Sequence, residues 1–194
     1  MNVTSAQTED CLSLAEIHVA SWQAAYVALF PAEYLASLSV AERQLRWQSI
    51  LKTGESRTLV ARNAEQVVGF VSFGRCRDAG AAATRGEVWA LYVAPRAWST
   101  GAGWALWEAA RVQMLHAGFG EVSLWVLSGN TRGLRFYETV GFRREKNSEK
   151  QFEQGGAQLE EFRLVFEHMS ANPSIERTAQ RPLRDLCATT HVER

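Results

Sequence analysis

The chain has 194 residues, with 21 Lys+Arg balanced by 21 Asp+Glu and a pI of about 6.9. A content of 46% hydrophobic and 22% charged residues fits one folded domain and excludes a disordered chain, and zero net charge argues against gripping nucleic acid or an anionic membrane by bulk charge. Cys11, Cys76 and Cys187 have neither disulfide-framework nor metal-ligand spacing, and no signal-like or membrane-length apolar run occurs, so the expectation is a cytoplasmic protein without a metal, a monomer or homodimer.

Residues 2–5 read as a short strand. Thr8, followed by Glu9 and Asp10, reads as the cap of a helix running to about residue 29, where Pro31 stops it. His18, Trp22 and Tyr26 recur every fourth residue and share one stripe of that helix. Pro31 opens a short helix over 32–38, and Ser39-Val-Ala-Glu42 reads as a capping box for a third helix ending before Gly54. Residues 58–62 and 67–75 read as a hairpin, followed by a weakly patterned segment over 77–86 expected to be a flexible loop. A strand over 87–94 closes at Pro95. A helix over 103–117 ends at Gly118, and the nearly all-apolar run 122–127 reads as a strand covered on both faces. Strand, helix and strand in this order form a βαβ unit with parallel strands. Residues 130–140 read as a helix ended by Gly141, and 142–152 and 158–166 as two strands joined through Gly155-Gly156. The expectation is one domain over 1–168 and a disordered tail over 169–194.

The segment GEVWALYVAPRAWSTGAGWAL, residues 86–106, carries the chemistry. A strand runs into a loop with Gly101-Ala-Gly103 and then directly into a helix. Glycine allows close backbone approach, and free N–H groups at a helix N-terminus attract anions, so this is a candidate diphosphate cradle. A dinucleotide is disfavoured. Its fingerprint needs a third glycine where Leu106 stands, and the acidic residue about 20 positions on, Glu121, precedes its strand rather than ending it.

The same residues resemble the GNAT superfamily of N-acetyltransferases. That family has a strand ending in Leu-Tyr-Val-x-Pro, then (Gln/Arg)-x-x-Gly-x-(Gly/Ala) opening a helix. This chain has Leu91-Tyr92-Val93-Ala94-Pro95 and then Trp98-Ser99-Thr100-Gly101-Ala102-Gly103. Downstream the family has an Asn opening a helix that carries Phe-Tyr-Glu and ends in Gly-Phe; here these are Asn130, Phe136-Tyr137-Glu138 and Gly141-Phe142. Two departures stand out: Trp98 replaces the usual Gln/Arg, and Ser99 replaces a common Gly.

The resemblance implies an α/β fold, a mixed sheet with a parallel βαβ cofactor unit flanked by helices, and acetyl-CoA as cofactor. It implies that backbone groups of Leu91, Tyr92 and Val93 pair with the pantetheine arm like an added strand. The N–H groups of Trp98, Ser99, Thr100, Gly101, Ala102, Gly103 and Trp104 would hold the diphosphate, helped by Arg96, Arg132 and Arg135, and Asn130 would bond the pantetheine arm or serve as a helix cap. Tyr137 is the expected proton donor to sulfur, because a phenol of pKa about 10 can return a proton to a thiolate of pKa about 8.5. Glu87 is the expected base for the acceptor, acting through water; the competing reading is a strand-end charge or a salt bridge to Arg85 or Arg143. Trp22, Tyr26 and Glu87 would line the acceptor pocket, with core packing the competing reading for the aromatic stripe and His18 a second candidate for proton handling. Trp89 and Trp125 are expected on the sheet face, and Trp104 and Trp107 in the helix-to-sheet core. The expected reaction is direct acetyl transfer to a primary amine of a small molecule. A protein N-terminal or lysine acetyltransferase and a non-catalytic acyl-CoA-binding module are the alternatives.

Overall fold

The computed structural model describes residues 1–167; the tail expected over 169–194 lies outside the described residues. The elements in chain order are β1 (Asn2–Ser5), α1 (Cys11–Ala25), α2 (Ala32–Ala36), α3 (Val40–Thr53), β2 (Arg57–Asn63), β3 (Gln66–Arg75), β4 (Arg85–Val93), α4 (Ala102–His116), β5 (Glu121–Leu127), α5 (Thr131–Thr139), β6 (Arg143–Arg144), β7 (Lys150–Gln154) and β8 (Ala157–Glu167). They build one eight-stranded sheet in the order β1-β2-β3-β4-β5-β8-β6, with β7 also paired to β8. Pairing is antiparallel from β1 to β4, parallel between β4 and β5, and antiparallel from β5 to β8. This is the mixed sheet with a parallel βαβ unit that the resemblance implies.

Helices cover both faces. His18 of α1 stacks on Tyr92 of β4 at 4.5 Å between ring centres. A Cβ at Gly86 would instead meet Met114 of α4 at 2.6 Å, so α4 lies on the opposite face. Parity reverses once along β4. The register to β3 shifts between Ser72 and Phe73, leaving Trp89 as the extra residue of a β-bulge. Glu87 therefore shares the α1 face with Tyr92, although the two are five positions apart. Local signals explain α3: Ser39 Oγ accepts the Glu42 N–H at 3.2 Å, and Gly54 closes the helix at φ +66°.

Three expectations are corrected. Helix α1 ends at Ala25, not near residue 29, because Tyr26 and Phe30 turn inward to pack on Trp22, at 5.2 and 5.7 Å between ring centres. Burial of these rings, about 1.5–3 kcal/mol each, outweighs another helical turn. The strand expected over 142–152 is split into β6 and β7, because Asn147 takes a left-handed φ of +57° and Ser148 donates to the Glu145 carbonyl while accepting the Arg163 N–H. The segment over 77–86 is anchored at its start by side chains that bond across the sheet, as described below. No helix among the described residues is long and apolar enough to cross a membrane.

Candidate active site

The parallel ladder between β4 and β5 consists of Arg85↔Glu121, Gly86↔Val122 and Glu87↔Ser123. Beyond Glu87, β4 continues its ladder with β3 while β5 pairs with β8. The two strands therefore separate in mid-sheet, just where the bulge at Trp89 bends β4. Leu91, Tyr92 and Val93 lie along the β4 side of this opening. Asn130 and Tyr137 follow the end of β5 on the other side, and all five are buried.

The cradle follows β4. Gly101 sits at φ +87°, and the first α4 backbone bond runs from Ala105 N–H to the Gly101 carbonyl. By helix geometry the N–H groups of Ala102, Gly103 and Trp104 have no partner within α4. Ser99 also has a positive φ, +64°, at the position where the family pattern commonly has Gly. The Thr100 hydroxyl donates to the Ala97 carbonyl at 2.8 Å and tightens the loop. Open space at Gly101, where an added Cβ meets no atom within 4 Å, and a row of helix-terminal donors together fit a diphosphate. Trp104 turns outward at 42% exposure, which corrects its expected place in the core, whereas Trp107 is fully buried against Phe142 and Phe166.

Asn130 is the N-cap of α5: its Oδ1 accepts the Gly133 N–H at 2.9 Å. Tyr137 is fully buried between Phe136 and Phe142, at 5.2 and 5.3 Å between ring centres. Helix geometry brings Asn130 and Tyr137, seven residues apart, to the same side of α5.

Glu87 is 2% exposed. Its partner is neither Arg85 nor Arg143. The Arg77 backbone N–H donates to one carboxylate oxygen at 2.8 Å, and Arg77 Nη2 and Nε donate to the other at 2.5 and 3.2 Å. Arg85 pairs with Glu121 and Glu145. The Arg77 guanidinium also lies over Trp89, 4.6 Å from the ring centre. Next to it, Asp78 accepts from Arg163 Nη2 at 2.6 Å and from the Trp125 indole at 3.3 Å. Burial pushes the Asp78 carboxyl up, but the Arg163 and Lys150 charges and these bonds hold it below the usual carboxylate range. Trp125 has Lys150 Nζ at 3.7 Å and Arg163 at 4.6 Å from its ring centre. These contacts pin the segment expected to be flexible across the α1 face of the sheet.

Trp22 and Tyr26 are 1% and 0% exposed. The structure thus places the aromatic stripe in the core, the competing reading of the stripe. His18 sits in the same box with Trp22, Trp47, Phe70 and Tyr92. Neither of its ring nitrogens has a hydrogen-bond partner, and burial, with smaller contributions from Arg43 and Arg46, pushes its pKa well below 6.5. Burial thus favours its neutral form, as a ring of the core. No local pattern pointed to Arg77, nor to Glu161, a carboxylate 1% exposed on β8 opposite Leu127. Strand alternation puts Glu161 on the face of Arg163 and Trp125.

The geometry now has known counterparts. The profile of the Acetyltransferase (GNAT) family matches residues 14–142. An uncharacterized N-acetyltransferase of Bacillus subtilis, YuaI, is 32% identical over 172 residues, covering 88% of this chain and 95% of that protein. The PaiA N-acetyltransferase of Thermoplasma acidophilum, solved in complex with coenzyme A, superposes with a TM-score of 0.63 at 22% identity, covering 84% of this chain and 99% of that one. The ribosomal-protein-alanine N-acetyltransferase of Brucella melitensis superposes with a TM-score of 0.68 at 20% identity, covering 86% and 99%. The opened β4–β5 pair, the glycine-bearing α4 entry and the matching profile lead to one conclusion: the chain belongs to the acetyltransferase (GNAT) family.

Proposed function

We propose that the protein moves the acetyl group of acetyl-CoA to a primary amine of a small molecule, by direct attack while both are bound. The observation that carries this reading is the separation of β4 from β5 after Glu87↔Ser123, followed in the chain by the α4 donors after β4 and by Asn130 and Tyr137 after β5. The opening suits an extended pantetheine arm laid along Leu91–Val93, and the donors of residues 98–104 suit its diphosphate. Asn130, which caps α5 through Oδ1, stands at the end of β5 on the side of the opening across from Leu91–Val93.

Acetyl-CoA supplies an activated thioester carbonyl. The amine nitrogen forms the new N–C bond as the C–S bond breaks. Tyr137 Oη–H gives its proton to the departing sulfur, and the amine proton passes through a water to Glu87. Glu87 accepts it on the carboxylate oxygen that takes only the Arg77 backbone N–H, where a second lone pair remains beside the three Arg77 bonds. Cysteine placement supports a reaction without a covalent enzyme intermediate. Cys11 is buried in α1, and burial raises the pKa of Cys76, which keeps it a thiol and a poor nucleophile.

The small-molecule assignment rests on how the α1 face is closed over. Gln154 at the tip of the β7–β8 hairpin donates to Tyr34 Oη of α2 at 2.9 Å. Gly155, at φ +58°, lies so close to the Tyr34 ring that an added Cβ would clash with it. Leu29 lies as close to Gly129. These contacts tie the α1–α2 region to the hairpin and to the loop after β5, and favour a compact acceptor over a passing peptide.

Thermal stabilisation by acetyl-CoA, followed by thiol release across small primary amines and across peptides with a free N-terminus or a lysine, tests the proposal. Stabilisation and release with a small amine are expected. Release with peptides alone would contradict the acceptor class, and stabilisation without release by any amine would contradict catalysis.

A further inference from the structure

The cradle lacks the Gln or Arg that the family pattern places at position 98. Trp98 stands there, half-buried, and its indole N–H donates to the Val93 carbonyl at 2.7 Å. The same carbonyl accepts the Ser21 hydroxyl at 3.0 Å, so the last residue of β4 is held from both sides. The tether fixes the indole at the foot of the cradle. Over its face lies the guanidinium of Arg132, with Cζ 4.3 Å from the ring centre.

Arg132 comes from the first turn of α5, two residues after the Asn130 cap. Among the described residues no carboxylate lies within ion-pair distance of it, in contrast to Arg77, Arg85 and Arg163. Arg96 and Arg135, the other cations near the cradle in sequence, are exposed. A guanidinium held over an indole face by the ring's quadrupole retains N–H groups to donate to a ligand, and tryptophan is the strongest aromatic partner for it. The platform thus restrains a long side chain and removes part of the entropy cost of ordering it on a ligand.

We infer that Arg132, seated on Trp98, binds a phosphate group of coenzyme A, and that this pair takes the place of the Gln or Arg missing at position 98. The inference rests on acetyl-CoA binding and adds the side-chain cation to a cradle otherwise built from backbone N–H groups. The phosphate is either one of the diphosphate or the 3′-phosphate of the ribose; the contact chemistry is the same.

Calorimetric titration of the full chain with acetyl-CoA is the test. Binding by the native protein comes first; its absence would overturn the cofactor assignment, not merely the role of Arg132. Arg132→Gln, at a partly exposed position, is expected to weaken binding about 10-fold at low ionic strength, as befits a hydrogen bond to a charged group, with a smaller loss at high salt. Trp98→Leu is expected to lose a similar factor, and the double variant to bind no worse than Arg132→Gln within about twofold. Trp98→Phe keeps a ring under the guanidinium and is expected to retain most of the affinity. With S-acetyl-pantetheine, which has no phosphate, Arg132→Gln and native protein should have the same KM. With 3′-dephospho-CoA, a persisting loss assigns the contact to the diphosphate and a vanished loss to the 3′-phosphate. Unchanged acetyl-CoA affinity in Arg132→Gln, a loss that persists with S-acetyl-pantetheine, or additive losses in the double variant would overturn the inference. If Trp98→Leu does not fold, a loss in Trp98→Phe as large as that in Arg132→Gln would overturn the platform.

Discussion

Arg77 donates to both carboxylate oxygens of Glu87, to one with its backbone N–H at 2.8 Å and to the other with its guanidinium at 2.5 Å. The glutamate is buried, while the arginine side chain is 42% exposed. Removing the arginine would leave a buried charge with one donor. Arg77→Met is therefore expected to cost roughly 1–2 kcal/mol, discounted for the arginine's exposure, read as a lower denaturation midpoint. Arg77→Met/Glu87→Gln should recover most of that loss, since no charge remains to be compensated.

Tyr137→Phe keeps the ring packed between Phe136 and Phe142 and removes only the hydroxyl. The expected result is a loss in kcat of roughly 10²-fold with the acetyl-CoA Kd nearly unchanged. Turnover measured beside calorimetric binding checks this, and unchanged turnover would take Tyr137 out of the acid role.

His18 gives the fold a pH dependence of known sign. Its folded pKa lies well below 6.5, mainly through burial, so below pH 6.5 the unfolded chain binds a proton that the folded chain does not. Stability from this group is present above pH 6.5 and is lost as pH falls. Comparing pH 7.5 with 5.5, native protein should lose about 1 kcal/mol more than His18→Leu. Denaturant titrations of both proteins at the two pH values measure the difference, and equal losses would refute it.

Ser99 holds a φ of +64° in the cradle loop. Ser99→Gly relieves a left-handed conformation costing about 1–2 kcal/mol and adds unfolded-state entropy worth about 0.4–1 kcal/mol. A net gain of roughly 0.5–1 kcal/mol is expected, a rise in Tm of roughly 1–4 °C for a chain of this size. Calorimetric melting of the two proteins checks it.

What could be read from the sequence was local. Leu91-Tyr92-Val93-Ala94-Pro95 and Gly101-Ala102-Gly103 lie within one strand, loop and helix entry, so spacing alone located the cradle, and Asn130 carried its cap signal in the next three residues. The partner of Glu87 was hidden because Arg77 lies in a segment whose alanines and glycines show no pattern; its order comes from Asp78 bonding Arg163, 85 positions away. Helix α1 overran its end in the sequence reading because burial of Tyr26 and Phe30 decides the turn. Trp104 and Trp107 look alike on composition, yet only Trp107 meets Phe142 and Phe166.

The proposed reaction is a one-step transfer from acetyl-CoA to an amine at the opening between β4 and β5. Its most direct test is an initial-velocity study varying acetyl-CoA and an accepted primary amine, with mass analysis of protein incubated with acetyl-CoA alone. Intersecting double-reciprocal lines and a protein of unchanged mass are expected. Parallel lines together with a stable mass gain of one acetyl group would contradict it.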